Sequence, residues 1–332
     1  MPRSARTTTP LVLAGTLLAG CAVPRGVGPL AGRVVCIDPG HGGTAGVDQY
    51  RVGPGGEREE WIDLRVARLL RAALERRGAR VLMTRTEDVA VELSRRAALA
   101  VEGRADLFLS VHHNATADPG VNFPVVYFHG NASENQAGVA LGRAVAARLA
   151  AALFEGQAVP GLVSDLAIFP GAGAAVLRHS YGIPGVISEA SFFTNPEEEK
   201  RLKDPTRTRA EALALADAIE DFLTRPIPPI RAQGSRVRLP SFEVAREAER
   251  VHAAALRWRT SFAEARLLME RGDAAALAQA YESLTLSARV FPDSPLAGEC
   301  HRLRASILLR QGLAAEAERE RLRCVEHYVP PS

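Results

Sequence analysis

The feature that most constrains this chain is an alternation of short β-rich apolar runs with amphipathic stretches, sustained from Arg33 to Leu223 and then abandoned. Val34 to Asp38, Arg80 to Thr84, Asp106 to His112, Val125 to His129 and Gly185 to Glu189 read as strands bounded by Gly, Pro, Asn or Asp. Helices are expected from about Glu59 to Arg77, where Ile62, Val66, Leu69 and Ala73 recur at helical spacing. Others are expected from about Glu92 to Glu102, Ser133 to Leu153 and Thr206 to Leu223. Such alternation predicts an α/β fold, a doubly wound, mainly parallel sheet with helices on both faces. At 332 residues the chain can bury a sizeable core and has room for a second unit.

That second unit begins after Pro226, Pro228 and Pro229 break the pattern, with residues 225–240 reading as a linker. Beyond Ser241 no strand signal remains, and Ala, Leu, Arg and Glu dominate. Arg271-Gly272-Asp273 and an Ala-rich helix ending at Phe291-Pro292 are echoed by Arg310-Gln311-Gly312 and a helix ending at Tyr328-Val329-Pro330. The spacing of roughly 40 residues is close to that of helical-hairpin repeats. A smaller all-α, tetratricopeptide-like domain over 241–332 is expected, and a plain helical bundle fits the same pattern.

The first residues speak to location. Arg3 and Arg6 precede an apolar run from Pro10 through Leu18, closed by Leu18-Ala19-Gly20-Cys21. A positive start, a short hydrophobic stretch and a small-residue site read as a secretory signal, too short for the roughly 20 apolar residues of a membrane span. The tetrapeptide resembles the lipobox of bacterial lipoproteins, which implies cleavage before Cys21 and a lipid on its thiol. Residues 1–21 are therefore expected to be signal peptide and lipobox, 22–32 a tether and 33–224 the catalytic domain. The mature chain is expected to be exported, periplasmic and lipid-anchored to a membrane. Ala22 lacks the Asp associated with inner-membrane retention, which leans towards the outer membrane. No other segment reads as a membrane-spanning helix.

The chain carries 41 basic and 38 acidic side chains, and loss of Arg3 and Arg6 with the signal erases most of the excess. Lys200 and Lys203 are the only lysines, and no basic stripe is interleaved with aromatics, so nucleic acid is not an expected partner. An oxidising compartment would permit Cys300 and Cys324 to pair, whereas Cys36 lies in an apolar run and reads as an inert buried thiol.

In an open α/β sheet, ligands bind outside the carboxyl ends of the strands. The first strand runs out into Asp38-Pro39-Gly40-His41-Gly42-Gly43, the third into Ser110-Val111-His112-His113-Asn114, and the last delivers Ser188-Glu189. Glu59 opens the helix that follows the first strand's loop. Each residue has an ordinary alternative: a turn histidine, a carboxylate favoured by the helix dipole, a hydrogen-bonded core histidine. Their convergence on one rim is the sharper signal. Two histidines, a carboxylate and an open position make a catalytic rather than a structural zinc arrangement. A second carboxylate on a rigid strand, Glu189, suits general acid–base work.

These segments resemble the zinc-dependent N-acetylmuramoyl-L-alanine amidases (amidase type 3) over roughly residues 33–224. The resemblance rests on Cys36 to Gly43, Glu59 with Leu64, Ser110-Val111-His112 and Pro184 to Glu189 followed by Phe193-Thr194-Asn195-Pro196. Thr84-Arg85 with Asp88, Leu93 and Arg96, and Val176-Leu177-Arg178, resemble its supporting motifs. It implies that His41, Glu59 and His112 bind Zn2+, that Glu189 is catalytic, and that the amide between N-acetylmuramic acid and L-alanine of peptidoglycan is hydrolysed in cell-wall remodelling and daughter-cell separation.

His113 stands where the family has a small residue. Successive strand side chains point to opposite faces, so His112 is the expected ligand. The acidic run at 57–60 leaves Glu60 as the alternative to Glu59. Ser188 and Thr194 are further small departures. The rival readings are another zinc peptidase or deacetylase acting on cell wall, and an inactive wall-binding or regulatory protein on the same fold. The resemblance does not reach the helical region, which is expected to bind a partner or activator, or to position the enzyme, and to be dispensable for the chemistry.

Overall fold

The computed structural model describes residues 28–43 and 51–330, so the signal segment, Cys21 and most of the tether lie outside the described residues. Six strands form one sheet: β1 Val34–Pro39, β2 Arg80–Met83, β3 Leu107–Asn114, β4 Val125–Phe128, β5 Gly161–Ser164 and β6 Gly185–Phe192. Their order is β2-β1-β3-β6-β4-β5. All neighbours are parallel except β4 and β6, which run antiparallel. The sheet is thus mainly parallel, as the alternation implies, with β4 and β5 reversed at one side.

Helices α1 Glu59–Arg76, α2 Leu93–Glu102, α3 Gln136–Phe154 and α6 Pro205–Leu223 match the expected stretches. Three further elements escape the sequence reading: β5, α4 Ala175–His179 and α5 Pro196–Leu202. Strand side chains alternate between two buried faces. Val35, Ile37, Leu107, Leu109, Val126 and Phe128 enter the core under α1, α3 and α6. Cys36, Phe108, Val125 and Tyr127 enter the other. A sheet buried on both faces gives near-continuous apolar strands. By length and composition α3 could cross a membrane, contrary to the expectation that no further segment would pass that test, but Leu141, Val145 and Leu149 make it a core helix.

The carboxyl-terminal region is all helical: α7 Trp258–Arg271, α8 Ala274–Val290, α9 Ala297–Arg310 and α10 Ala314–His327. It has a core of its own around Ala265, Ala280, Leu284, Cys300 and Ile307. Helix α7 ends on Gly272 at φ +73°, a left-handed position that favours glycine. Cys300 and Cys324 are separate free thiols, and burial pushes the Cys36 thiol up to about 12.

This region is docked against the sheet. Trp258 and Phe291 join the second apolar cluster, with Phe108, Val125, Tyr127 and Phe192 of the sheet. The Val329 amide donates to the Leu162 carbonyl at 3.0 Å. Residues 225–240 carry no regular element, in keeping with a linker, yet they are pinned: the Arg231 amide donates to the Glu134 carbonyl and the Arg236 amide to its carboxylate, both at 2.8 Å.

Candidate active site

The loop after β1 is the most constrained piece of the site. Asp38, fully buried, accepts from Thr84 Oγ1 at 2.5 Å, Arg96 Nη1 at 2.8 Å and Ser110 Oγ at 2.7 Å. Arg85 donates to the carbonyls of Pro39 at 3.0 Å and Gly40 at 2.6 Å, and Arg96 to those of Pro39 and His41. Two arginines thus hold a backbone that does not follow ordinary preferences, since His41 sits at φ +53°. A non-glycine residue there is uncommon and marks an over-determined position. Gly40 is required by close approach, because a Cβ on it would lie 2.4 Å from the His112 ring.

On that frame, three ligand-type atoms meet. His41 Nε2 lies 3.0 Å from Glu59 Oε1, His112 Nδ1 lies 3.0 Å from the same oxygen, and the two ring nitrogens are 3.1 Å apart. With an oxygen of Asp63, one turn along α1 from Glu59, these atoms all fall within 4.8 Å of one another. Glu60 turns away and pairs with Arg58 at 2.5 Å, so Glu59 is the carboxylate facing the histidines. His113 points to the other side of β3, between Asp63 at 2.9 Å and Glu211 at 3.1 Å, as alternation along a strand requires. Glu189, paired in register with His112, lines the same cavity of about 420 Å³.

The electrostatics favour a cation at this point. Burial opposes the charged form of Glu59, but the field of His41 and hydrogen bonds from both rings prevail and hold its carboxyl well below the usual range. Burial likewise opposes a charged His112, yet its bond to Glu59 and the field of Glu189 push it up to about 10. The cluster therefore asks for positive charge between its ligands. Tetrahedral zinc, with bonds of about 2.0–2.1 Å to nitrogen and oxygen, sets its ligand atoms roughly 3.3 Å apart, close to the separations seen here. Arg51 Nη1 lies 2.5 Å from His41 Nδ1, so that nitrogen accepts. Ligation through Nε2 would put the ring proton on Nδ1, which could then no longer accept from Arg51. Burial raises Glu189 well above the usual carboxylate range, and its Oε2 has no hydrogen-bond partner.

The sequence reading leaves out part of the cavity wall. Glu247 and Arg250 line it from beyond residue 240. Arg250 pairs with Asp293 of the α8–α9 loop, and Asp293 also accepts from Asn114 Nδ2 at 2.9 Å and from the Tyr127 hydroxyl. Asp63 was readable, standing four residues after Glu59 on one helical face. Nothing in the sequence marks Arg250 or Asp293.

A cavity at the carboxyl edge of an α/β sheet, with a His/Glu/His cluster at its base and the half-buried Glu189 carboxylate beside it, defines a hydrolase with a metal-type site. The chain belongs to the N-acetylmuramoyl-L-alanine amidase family, whose description matches residues 35–221. It is 29% identical over 222 residues to the N-acetylmuramoyl-L-alanine amidase AmiA of Salmonella typhimurium, covering 57% of this chain and 76% of that one. It is also 29% identical over 200 residues to the probable cell wall amidase LytH of Staphylococcus aureus, covering 59% of this chain and 60% of LytH. Among solved structures, the N-acetylmuramoyl-L-alanine amidase AmiC2 of Nostoc punctiforme superposes with a TM-score of 0.50 at 29% identity, over 58% of this chain and 98% of AmiC2. The family match ends at residue 221, before the helical region.

Proposed function

We propose that this chain is a zinc-dependent amidase that hydrolyses the bond between the lactyl group of N-acetylmuramic acid and L-alanine in peptidoglycan. The observation that carries the reading is the meeting of His41 Nε2, Glu59 Oε1 and His112 Nδ1 at 3.0–3.1 Å beside Glu189. His41, Glu59 and His112 would hold the ion, with Asp63 orienting His113 behind them. When bound, zinc polarises a carbonyl oxygen and lowers the pKa of a coordinated water to about 7. Glu189 takes a proton from the attacking water and delivers it to the leaving nitrogen. The C–N bond breaks, the lactyl carbon gains hydroxyl, and the stem peptide leaves with a free L-alanine amino terminus. Arg85 and Arg96 fix the His41 loop so that binding need not organise it.

The setting we propose is a periplasmic lipoprotein, tethered through Cys21 to the outer membrane, acting in wall remodelling and daughter-cell separation. Its leader sequence supports this, and a diacylglycerol adduct in the mass of the membrane-extracted protein would test it. The helical region, read as tetratricopeptide-like, is proposed to position the enzyme or dock a partner. Digestion of purified peptidoglycan tests the chemistry. Intact stem peptides beginning with free L-alanine are expected. Cut stem peptides or free acetate would indicate a peptidase or deacetylase, and no release by zinc-loaded protein would indicate a wall-binding role.

A further inference from the structure

A second cavity of about 370 Å³ adjoins the catalytic one, and both are lined by Arg178. His129 and Asn131, just past the end of β4, form one wall, and Val237 and Arg238 of the irregular segment face them. The two cavities differ in charge. The catalytic one is lined by Glu59, Glu189 and Glu247, while its Arg96 is paired with Asp38 and its Arg250 with Asp293. In the second the carboxylates are consumed. Glu134 accepts the backbone amides of Gly234 at 3.2 Å and Arg236 at 2.8 Å, and the Asn131 amide at 3.2 Å. Asp165, behind the wall, accepts from His129 Nδ1 at 2.6 Å and the Ala174 amide at 2.8 Å.

Its guanidinium groups bond only to uncharged partners where bonds are seen. Arg178 donates to the carbonyls of Ala172 and Gly173, each at 3.0 Å. Among the described residues neither Arg178 nor Arg238 forms an ion pair with a carboxylate. The spacing is informative too. Val125 pairs with Glu189 across the antiparallel strands, and His129 lies four residues further along. At about 3.4 Å per residue that is about 14 Å, the reach of roughly four residues of extended peptide.

We propose that this second cavity is a binding subsite for the carboxyl end of the stem peptide, with Arg178 and Arg238 as its carboxylate-binding residues. The proposal rests on the amidase reading above. Arginine suits the role, because its planar fork matches a carboxylate with two parallel hydrogen bonds. The wall that bears Arg238 lies beyond the family match, which ends at residue 221, whereas Arg178 and His129 lie within it.

The test uses the full mature chain and two soluble substrates. One is N-acetylmuramoyl-L-alanyl-D-isoglutaminyl-L-lysyl-D-alanine, whose only carboxylate is at its end, and the other is the same compound ending in D-alaninamide. Wild type is expected to show a KM about tenfold lower for the acid. Arg238→Glu, at an exposed position, should collapse that ratio to about one, and Arg178→Ala should do the same. Arg310→Glu, an exposed reversal on α9, should leave the ratio intact. Retention of the full ratio in folded Arg238→Glu and Arg178→Ala would overturn the subsite. Should wild type cleave neither compound, the amidase reading fails. Calorimetric titration of both compounds into wild type and Arg238→Glu then still decides the subsite: acid preference lost in the variant supports it, and equal binding overturns it.

Discussion

The catalytic rim and the docking face of the helical region are both polar contacts set in apolar surroundings, yet they are built on different terms. At the rim, His41, Glu59 and His112 aim three ligand-type atoms at one point, an arrangement with no purpose as packing. At the docking face, Arg250 and Asp293 pair beside the apolar cluster that holds Phe291, Trp258 and Phe192. Chemistry dictates residue type in the first case. In the second, any well-packed and satisfied set would serve. The comparison separates what the enzyme needs in order to react from what it needs in order to hold its shape.

Three substitutions sharpen that contrast, from the largest effect to the smallest. Glu189→Gln should lower kcat on the order of 10³-fold, about 4 kcal/mol of transition-state stabilisation, while zinc content and melting behaviour stay at wild-type values. The rate of stem-peptide release reads this, and a rate within tenfold of wild type would remove Glu189 from the mechanism.

Asp293→Ala should reverse the pattern, lowering unfolding stability by about 3 kcal/mol because it strands Arg250 in a buried setting. Denaturant unfolding measures it, and a loss under about 1 kcal/mol would mean the helical region is only loosely attached. The pair also has an acid signature. Burial opposes the charged Asp293, but Arg250 wins and its carboxyl is held below the ordinary value. A depressed carboxylate stabilises the fold above its unfolded pKa of about 3.9, and that contribution fades as pH falls towards the folded value. Arg319→Ala removes an exposed pair with Glu316 on α10 and should change stability by no more than about 0.5 kcal/mol.

What could be read from the chain follows the same division. Five of the six strands, helices α1, α2, α3 and α6, and the meeting of His41, Glu59, His112 and Glu189 at one rim were legible, because periodicity marks the elements and chemistry restricts the rim. Strand β5 was not, since Gly161–Ser164 opens on glycine, ends on serine and leaves only Leu162 and Val163 as an apolar signal. Helix α5 carried a signal that went unused: Asn195 caps the amides of Glu197 and Glu198, with Pro196 at the first helical position. Arg250 and Asp293 were beyond reach. Their pairing depends on how distant elements dock, which no local pattern encodes. The proline break at 226–229 marks a linker but gives no sign that its neighbours hydrogen-bond along the sheet domain or that Arg250 lines the cavity.

The central claim is that side chains far apart in sequence share one divalent ion at the carboxyl edge of the sheet. Elemental analysis of zinc in wild type, His41→Ala and His112→Ala, run beside peptidoglycan digestion by the same preparations, tests it most directly. About one zinc per wild-type chain is expected, with metal and digestion falling together in both variants and digestion by chelator-stripped wild type returning on zinc addition. Undiminished zinc in both variants, or full digestion by stripped protein, would contradict the claim.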